Sequence, residues 1–326
     1  MKERDTILVI SHAADPHALE VMRHLETRGA KVELFDTSGI TREGSLTIEH
    51  TAQAGWSGTA TTRGHTIDMQ RIGAVWWRRP QPFQLHPDVS GSDDCNFALG
   101  EISAAVSGLW SLLDARWIND PDLDEKAGRK AWQLKIAREA GLTIPTTCIT
   151  SDPARARQFV RDRGSDVIYK SFSATERTWR ETRIVGAEER ELLEAVKYAP
   201  VIFQEYVQAR VDLRITIVDG EIFAAEIDSQ ASSYPHDFRM DTTAAIASHV
   251  LPPAISSRLL RLMQMLGLLY GAIDMRLTPA GEYVFLEINP AGQWLFIEER
   301  TQQPISDCLA QALIRQIRPE AVRRSA

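Results

Sequence analysis

The sequence predicts a protein of mixed helices and strands (α/β, with α+β character) built from two domains. The first observation is a β-α-β pattern: an apolar run at Thr6–Ile10, helical spacing over 15–28, and a second apolar run at Lys31–Phe35. Such a pattern implies a parallel sheet. The second is Asp219-Gly220 between alternating apolar runs, a strong hairpin signal. The third is the breaker Asn119-Asp120-Pro121, where we place the domain boundary.

The remaining elements follow from the same signals in chain order. Hairpin-like structure is expected at 41–68, a strand at 74–77, a helix at 97–113 and a short strand at 117–119. Beyond the boundary we expect helices at 123–140, after Asp152-Pro153, at 187–197, at 254–266 and after Pro304. Strands are expected at 146–149, 167–170, 201–205, 211–218 and 221–229, with a hairpin at 271–289. The polar stretch at 171–182 predicts a loop.

Composition limits the kinds of partner. The 326 residues carry a net charge of −7 at pH 7, with 44% apolar and 25% charged residues, which is ordinary for a globular protein. This balance predicts no general attraction for nucleic acid or for a membrane surface, and no apolar run approaches the roughly 20 residues of a membrane span. The N-terminus lacks a secretory pattern and the three cysteines are widely scattered, so we expect a cytoplasmic protein.

The segment GAIDMRLTPAGEYVFLEINPAG at 271–292 combines acidic residues with apolar strand residues. A two-residue turn at 280–281 and a four-residue loop at 279–282 both pair Asp274 with Glu287, and strand alternation puts Asn289 on the same face. Two carboxylates this close repel unless a cation lies between them. Hard oxygen ligands suit Mg²⁺ that also binds substrate phosphates. We therefore predict a magnesium site, with an edge hairpin carrying solvated acids as the alternative.

Other polar residues suit a nucleotide, which needs cations for its phosphates and a carboxylate for its ribose. Lys130 lies on a predicted helix, and Lys170 ends an apolar strand just before the polar loop. Either lysine could equally be a solvated charge. Asp212 and Arg214 share one face of a predicted strand, which a plain cross-strand salt bridge would also explain.

The order of these motifs resembles that of the ATP-grasp ligase superfamily. The motifs are Lys130, Lys170, QEYV at 204–207, DLR at 212–214, and Asp274 followed by LEINPAG at 286–292. The stretch at 117–152 resembles the N-P…K..QL..A…G…P.T pattern of these ligases, and VWWRRP at 75–80 resembles a motif of their N-terminal domain. The similarity covers most of the chain. It is greater to graspetide (microviridin-type) synthetases, which cyclise ribosomal peptides, than to the ligases of ribosomal-protein glutamate tails.

The resemblance implies how the chain is divided and which residues form the site. Residues 1–118 would form an N-terminal pre-ATP-grasp α/β domain, and residues 119–326 an ATP-grasp domain. Its central lobe would span about 119–205 and its C-terminal lobe about 206–326. The implied ATP-binding residues are Lys130 and Lys170 for the phosphates, Glu205 and Val207 at the adenine hinge, and Asp212 for the ribose. The implied Mg²⁺ ligands are Asp274, Glu287 and Asn289.

Three residues are candidates for the chemistry itself. Arg214 and Arg239 would hold the acyl phosphate, because charge that grows on transferring phosphoryl oxygens needs fixed cations. Arg239 could equally be an ordinary loop arginine. Asp237 would deprotonate the incoming nucleophile.

The loop at 171–182 would close over the phosphates. The chain has no GxxxxGK[ST] motif, which disfavours a Walker-type nucleotide site.

The resemblance also implies a reaction and a partner. ATP would phosphorylate a carboxylate, and a hydroxyl or amine would then displace phosphate. The partner would be an acidic precursor peptide with a leader and a core. Arg78 and Arg79 are candidates for binding it, although a salt bridge at a domain interface would explain them equally. The sequence leaves a homodimer open.

Two other functions are compatible with the same motifs. One is a ligase that adds free amino acids to a protein tail or to a small acid, which would consume free amino acid. The other is a nucleotide- or peptide-binding protein that keeps an ATP-grasp shell without turnover. The two predicted lysines together with Asp274, Glu287 and Asn289 argue against the second, because a site that only binds nucleotide need not hold two metal ions.

Overall fold

A computed structural model describes residues 3–62, 64–164, 166–172, 182–231 and 244–317. The chain forms two compact units, residues 1–122 together with 304–326, and residues 123–303. Each unit has its own sheets and its own hydrophobic core. In the part of the chain that the structure describes, no helix combines the length and the apolar character needed to cross a membrane.

Strands and helices occur in both units, in the following chain order. The elements up to residue 128 are β1 (Thr6–Ile10), α1 (Pro16–Thr27), β2 (Lys31–Phe35), β3 (Ser45–Thr51), β4 (Gly55–Thr62), β5 (His65–Asp68), β6 (Ile72–Trp77), α2 (Ser92–Leu112), β7 (Arg116–Ile118) and α3 (Pro121–Gly128). The next are α4 (Lys130–Glu139), β8 (Thr147–Thr150), α5 (Pro153–Arg163), β9 (Val167–Lys170), β10 (Arg183–Ile184), α6 (Ala187–Glu191), β11 (Val201–Glu205), β12 (Val211–Val218) and β13 (Glu221–Ile227). The last are β14 (Ile246–Ser248), α7 (Pro253–Leu266), β15 (Tyr270–Leu277), β16 (Tyr283–Asn289), α8 (Leu295–Thr301) and α9 (Ile305–Ile317).

The first unit is built on a parallel sheet in the order β2-β1-β6-β7, which confirms the predicted β-α-β start. Every residue of β1 is buried, as expected of a central strand in a parallel sheet. α1 begins after Asp15, whose side chain accepts a hydrogen bond from the His17 backbone N–H, and Pro16 occupies its first position. The segment predicted as hairpin-like forms an antiparallel sheet, β3-β4-β5.

The last helix, α9, packs within the first unit. Its buried residues include Leu309 and Leu313, and the helix contacts α1, β1 and β6. An ion pair between Arg28 and Asp307 also joins it to the end of α1. The sequence predicts one domain over residues 119–326, whereas the described residues 304–317 pack in the first unit. An amphipathic helix buries its apolar face on whichever sheet face is nearest, which chain order does not specify. The two-domain boundary itself stays a prediction.

The second unit contains two antiparallel sheets, in the orders β10-β9-β11-β8 and β14-β13-β12-β15-β16. The predicted hairpin at Asp219-Gly220 is confirmed: it joins β12 to β13, with positive φ angles of 48° and 90°. Residues of α4 and α7 form the largest core of this unit with one face of the five-stranded sheet.

Two helices predicted as continuous are divided in the structure. Residues 123–140 form α3 and then α4, because Arg129 has an extended backbone (ψ 109°) between them. Residues 187–197 form α6 and then a 3-10 helix at Leu192–Tyr198. The division at Arg129 makes Lys130 the first residue of a helix, which decides where its side chain lies.

Candidate active site

The five-stranded sheet has one apolar face and one polar face. Odd-numbered residues of β12, such as Leu213 and Ile215, are buried in the core with α4 and α7. Because strand side chains alternate, Asp212 and Arg214 lie on the opposite face. Their cross-strand partners on β15 are Arg276 and Asp274. The polar face therefore carries two adjacent acid–arginine pairs. In one pair the acid is on β12 and the arginine on β15, and in the other the arginine is on β12 and the acid on β15.

Arg214 is a buried cation with fixed partners. Its Nη1 donates to Asp274 Oδ1 at 2.8 Å, and its Nη2 donates to the carbonyl oxygen of Gln293 at 2.8 Å. Burial works against the charge, but the Asp274 carboxylate outweighs it and raises the pKa of Arg214 above its ordinary value. Its Nε is buried without a hydrogen-bond partner among the described residues, a feature that an anionic ligand would satisfy.

Asp274 lies directly opposite Glu287 on β16, which confirms the predicted pairing. The predicted turn is wrong, because β15 and β16 are joined by a five-residue loop, 278–282, rather than by two or four residues. The ladder then shifts by one residue between Asp274 and Met275. The extra residue on β16 is Leu286, a β-bulge that brings Glu287 opposite Asp274.

Lys130, at the start of α4, contacts Glu287. Its Nζ donates to Glu287 Oε2 at 2.8 Å, and the two side chains are 23% and 24% exposed. A lysine at the first position of a helix is disfavoured by the helix dipole, and the Glu287 carboxylate offsets this repulsion. Asn289 follows Glu287 by two residues on β16 and is exposed, and its Oδ1 accepts a hydrogen bond from the backbone N–H of Ala291 at 2.9 Å.

Gln133, one turn further along α4, fixes the helix against β16. Its side chain is buried, and its Nε2 donates to the carbonyl oxygen of Ile288 at 2.8 Å. The backbone N–H of Ile288 donates back to Gln133 Oε1 at 3.2 Å. β16 is the edge strand of its sheet, so this amide supplies the hydrogen bonds of a missing neighbouring strand. The sequence assigned no role to Gln133.

Lys170 is held on the four-stranded sheet by a second buried glutamine. Its Nζ donates to Gln204 Oε1 at 3.2 Å, and Gln204 Nε2 donates to Thr147 Oγ1 at 2.8 Å. Gln204 and Lys170 share one sheet face because Lys170 pairs with Ile202, two residues before Gln204. The ammonium group therefore has a defined position at the end of β9.

The predicted hinge and the predicted ribose ligand meet at Arg276. The carbonyl oxygen of Val207 accepts a hydrogen bond from Arg276 Nη1 at 2.7 Å, and Asp212 Oδ1 accepts one from Arg276 Nε at 2.9 Å. Glu205, at the end of β11, accepts a hydrogen bond from the Thr146 N–H through Oε2 at 3.3 Å. Sequence reasoning missed Arg276 because its partners are revealed only by the register of β12 and β15.

Arg78, in the first unit, requires a correction. The sequence offers it as a peptide-binding residue or as part of a salt bridge at a domain interface, but it is 1% exposed and its Nε donates to Asp15 Oδ2 at 3.0 Å within that unit. Burial would raise the pKa of Asp15, but the charge of Arg78 and the hydroxyl of Ser11 bring it below its usual range. Arg79 is half-buried and stays a candidate for binding peptide.

Some of the predicted residues lie outside the described ranges. These are Asp237 and Arg239, the candidates for the base and the second phosphate-binding arginine, together with residues 173–181 of the predicted closing loop. Their roles stay predictions from the sequence.

Comparisons with known proteins agree with this arrangement. Residues 6–125 match the family model of the MvdD pre-ATP grasp domain. No curated protein sequence matches the chain. A solved RiPP-associated ATP-grasp ligase from Chryseobacterium gregarium, in complex with ADP and a leader and core peptide, is 29% identical, with a TM-score of 0.86 over 99% of each chain.

Two further solved structures are similar over nearly the whole length. The macrocyclase MdnC from Microcystis aeruginosa MRC, bound with the precursor peptide MdnA, is 29% identical with a TM-score of 0.84, over 95% of this chain and 99% of that chain. The ATP-grasp ligase PsnB, complexed with the precursor peptide PsnA2 and AMPPNP, is 25% identical with a TM-score of 0.75, over 97% and 98%.

The chain therefore carries a match to the pre-ATP-grasp domain at residues 6–125 and is similar over nearly its whole length to solved ATP-grasp ligases.

The polar sheet face fits a divalent cation. Asp274 and Glu287 present carboxylates side by side, and Asn289 adds a carboxamide on the same face. Among the residues that the structure describes, no cluster of three or more His, Cys, Asp or Glu forms a metal site. Two carboxylates with a carboxamide leave coordination positions for phosphate oxygens and water, the arrangement that Mg²⁺ prefers.

Proposed function

We propose that this ATP-grasp ligase activates a side-chain carboxylate of a ribosomal precursor peptide and joins it to a hydroxyl or amine of the same peptide. The product is an ester or amide crosslink, as in graspetides. One observation carries the proposal: Arg214, Asp274, Glu287 and Lys130 form a row in which cations flank two acids, with 2.8 Å contacts at both ends. Such a row can hold metal-bound phosphates and an anionic substrate together. Its carboxylates can bind the metal ion, and its cations can bind the phosphates and the substrate.

The positions of the side chains support the proposed nucleotide-binding roles. Lys130 and Lys170 contact the ATP phosphates, since each ammonium is anchored by a neutral or acidic neighbour, Glu287 or Gln204. Glu205 and Val207 bind adenine at the segment that links the two sheets, and Asp212 binds the ribose. Asp274, Glu287 and Asn289 hold Mg²⁺, which neutralises charge on the transferring phosphoryl group when it is bound.

The reaction has two steps. A carboxylate oxygen attacks the γ-phosphorus of ATP, the bond between this phosphorus and the β–γ bridging oxygen breaks, and ADP leaves. The hydroxyl or amine of the peptide then attacks the acyl carbon, the bond to the phosphate-bearing oxygen breaks, and inorganic phosphate leaves. Arg214 holds the acyl phosphate, since its guanidinium is fixed by Asp274 and stays charged. The nucleophile loses its proton to a base, for which Asp237 is the candidate from the sequence.

The substrate of the proposed reaction is an acidic precursor peptide with a leader and a core. The solved macrocyclase MdnC and the ligase PsnB, both similar to this chain, were each obtained with a precursor peptide. Arg79 is the candidate in the first unit for binding an acidic segment. We place the reaction in the cytoplasm, where ATP is available and where the three free cysteines remain reduced.

Mass spectrometry of a candidate acidic precursor peptide, incubated with enzyme and Mg-ATP, tests the proposal. We expect a loss of about 18 Da for each bond, with one ADP released per bond, because each condensation removes the elements of water. A mass gain with consumption of free amino acid would identify a tail ligase instead. Nucleotide binding without ADP release on any acidic peptide would identify a binding protein, and either result contradicts the proposed crosslinking.

A further inference from the structure

Arg276 is a buried arginine that connects two parts of the nucleotide site. It lies near the end of β15, directly opposite Asp212, and is 4% exposed. Its Nε donates to Asp212 Oδ1 at 2.9 Å and its Nη1 donates to the carbonyl oxygen of Val207 at 2.7 Å. The guanidinium also lies 5.0 Å from the centre of the Tyr206 ring. One side chain therefore contacts the proposed ribose ligand and the proposed adenine hinge.

The hinge has no regular secondary structure, so its shape depends on such contacts. Residues 206–210 link β11 to β12 without helix or strand. The backbone N–H groups at its two ends are bound, Tyr206 N to the Asp166 carbonyl at 2.8 Å and Arg210 N to the Leu277 carbonyl at 2.7 Å. Arg276 fixes the middle, through the Val207 carbonyl and the face of Tyr206.

The second oxygen of Asp212 points to a ligand. Asp212 Oδ2 is buried and has no hydrogen-bond partner among the described residues, while Oδ1 is taken by Arg276. A buried carboxylate oxygen without a donor costs free energy, and a hydroxyl group is a donor that removes this cost. Arg276 fixes the carboxylate orientation and leaves one acceptor oxygen, so the acceptor is aligned for one hydroxyl.

We propose that Arg276 is a positioning residue that makes this ligase select ribonucleotides over deoxyribonucleotides. It acts through Asp212, whose free oxygen accepts a hydrogen bond from a ribose hydroxyl, and it fixes the Val207 peptide against which the base binds. The proposal rests on the proposed nucleotide site at Asp212 and Val207. Arg276 lies on β15, next to the strand that carries Asp212. In this proposal it affects which sugar binds without itself contacting the nucleotide.

Titration calorimetry on the full chain tests this directly with ADP, 2′-deoxy-ADP and 3′-deoxy-ADP as probes, in the presence of Mg²⁺. The wild type should bind ADP about tenfold more tightly than at least one deoxy analogue, the effect of one hydrogen bond to a charged group. In Arg276→Lys, which keeps the charge but loses the planar fork, the preference should fall to about twofold or less. Arg157→Lys, in an exposed pair with Glu194, should keep the wild-type ratio.

Each failure has its own meaning. A wild type that binds no adenine nucleotide would overturn the proposed nucleotide site together with this inference. A wild type that binds ADP without sugar preference, or an Arg276→Lys variant that keeps the preference, would overturn the inference alone. If Arg276→Lys fails to fold, Asp212→Asn combined with Arg276→Gln removes both charges and leaves no unpaired buried ion. That double variant should bind ADP without sugar preference, and a retained preference would overturn the inference.

Discussion

The side-chain amide of Gln133 pairs with the backbone of Ile288 as a neighbouring strand would, with one hydrogen bond of 2.8 Å and a return bond of 3.2 Å. Ile288 lies between Glu287 and Asn289 on the edge strand, and Gln133 lies one turn after Lys130 on α4. The contact therefore sets the distance between a proposed phosphate ligand and the proposed metal ligands. Together with the contact between Lys130 and Glu287, this amide connects two sequence segments that are 155 residues apart.

Replacing Gln133 should loosen this contact. Gln133→Met keeps the size of the side chain but leaves the N–H and C=O of Ile288 unpaired, at a cost of about 1–3 kcal/mol for each buried group. We expect a lower unfolding midpoint in urea and a fall of kcat/KM for ATP of about tenfold or more. Gln158→Met on the surface of α5 should change neither quantity measurably. Equal behaviour of the two variants would contradict the role of Gln133.

Glu287 should be required for turnover but not for folding. Glu287→Gln keeps the shape and an oxygen that can accept from Lys130, yet it removes a carboxylate from the proposed Mg²⁺ site. We expect ADP release to fall by about 100-fold or more, with an unfolding midpoint close to that of the wild type. Glu282→Gln, in the exposed loop of the same hairpin, should remain fully active. Near-normal turnover of Glu287→Gln would rule out the metal assignment.

Gly292 leaves space for Ala272 and for the guanidinium of Arg214. A Cβ at position 292 would lie 2.3 Å from the Ala272 Cβ and 3.0 Å from Arg214 Nη2. Gly292→Ala should therefore displace the guanidinium, with a loss of about 1–3 kcal/mol in stability and a larger loss in kcat than in nucleotide affinity. Gly100→Ala on α2, where a Cβ would meet no atom within 4 Å, should be neutral or stabilising. Unchanged kcat in Gly292→Ala would place Arg214 outside the reaction.

Arg78 and Arg79 should behave differently although they are neighbours. Arg79→Ala should weaken binding of the acidic precursor peptide by about tenfold without changing nucleotide affinity, since Arg79 is not one of the proposed nucleotide ligands. Arg78→Ala leaves the Asp15 carboxylate buried without its cation, so it should destabilise the first unit by about 3–5 kcal/mol. Arg42→Ala, at an exposed position in the same unit, is the control for general charge effects. Normal peptide binding by Arg79→Ala would remove it as a candidate.

Acid should destabilise the first unit through Asp15. Its pKa is lowered in the folded state by Arg78 and Ser11, although burial opposes this. A lowered folded pKa means that the stabilisation is present above the ordinary aspartate pKa, about 4, and is lost as pH falls through the lowered value. The unfolding midpoint, followed by tryptophan fluorescence from pH 6 to pH 2.5, should drop less steeply in Asp15→Asn than in the wild type. Parallel curves would contradict the linkage.

The sequence predicts the framework of this site better than its internal contacts. Strand alternation and the family resemblance bring Asp274 and Glu287 together, but the pairing depends on the bulge at Leu286, which no turn signal indicates. The burial of Arg78 with Asp15 could not be predicted, because charged residues are normally exposed and their partners are remote in sequence. The positioning contacts of Gln133, Gln204 and Arg276 depend on the register between strands and helices. Composition and periodicity do not encode that register.

The proposed reaction depends on an acyl phosphate, which transfers an oxygen atom from the carboxylate to phosphate. A precursor peptide with heavy oxygen (¹⁸O) in its side-chain carboxylates is incubated with enzyme and Mg-ATP, and the released phosphate is analysed by mass spectrometry. We expect ADP, and one labelled oxygen in inorganic phosphate for each crosslink, because the carboxylate oxygen that attacks ATP leaves with the phosphate. Label found in AMP, or crosslinks formed with unlabelled phosphate, would contradict it.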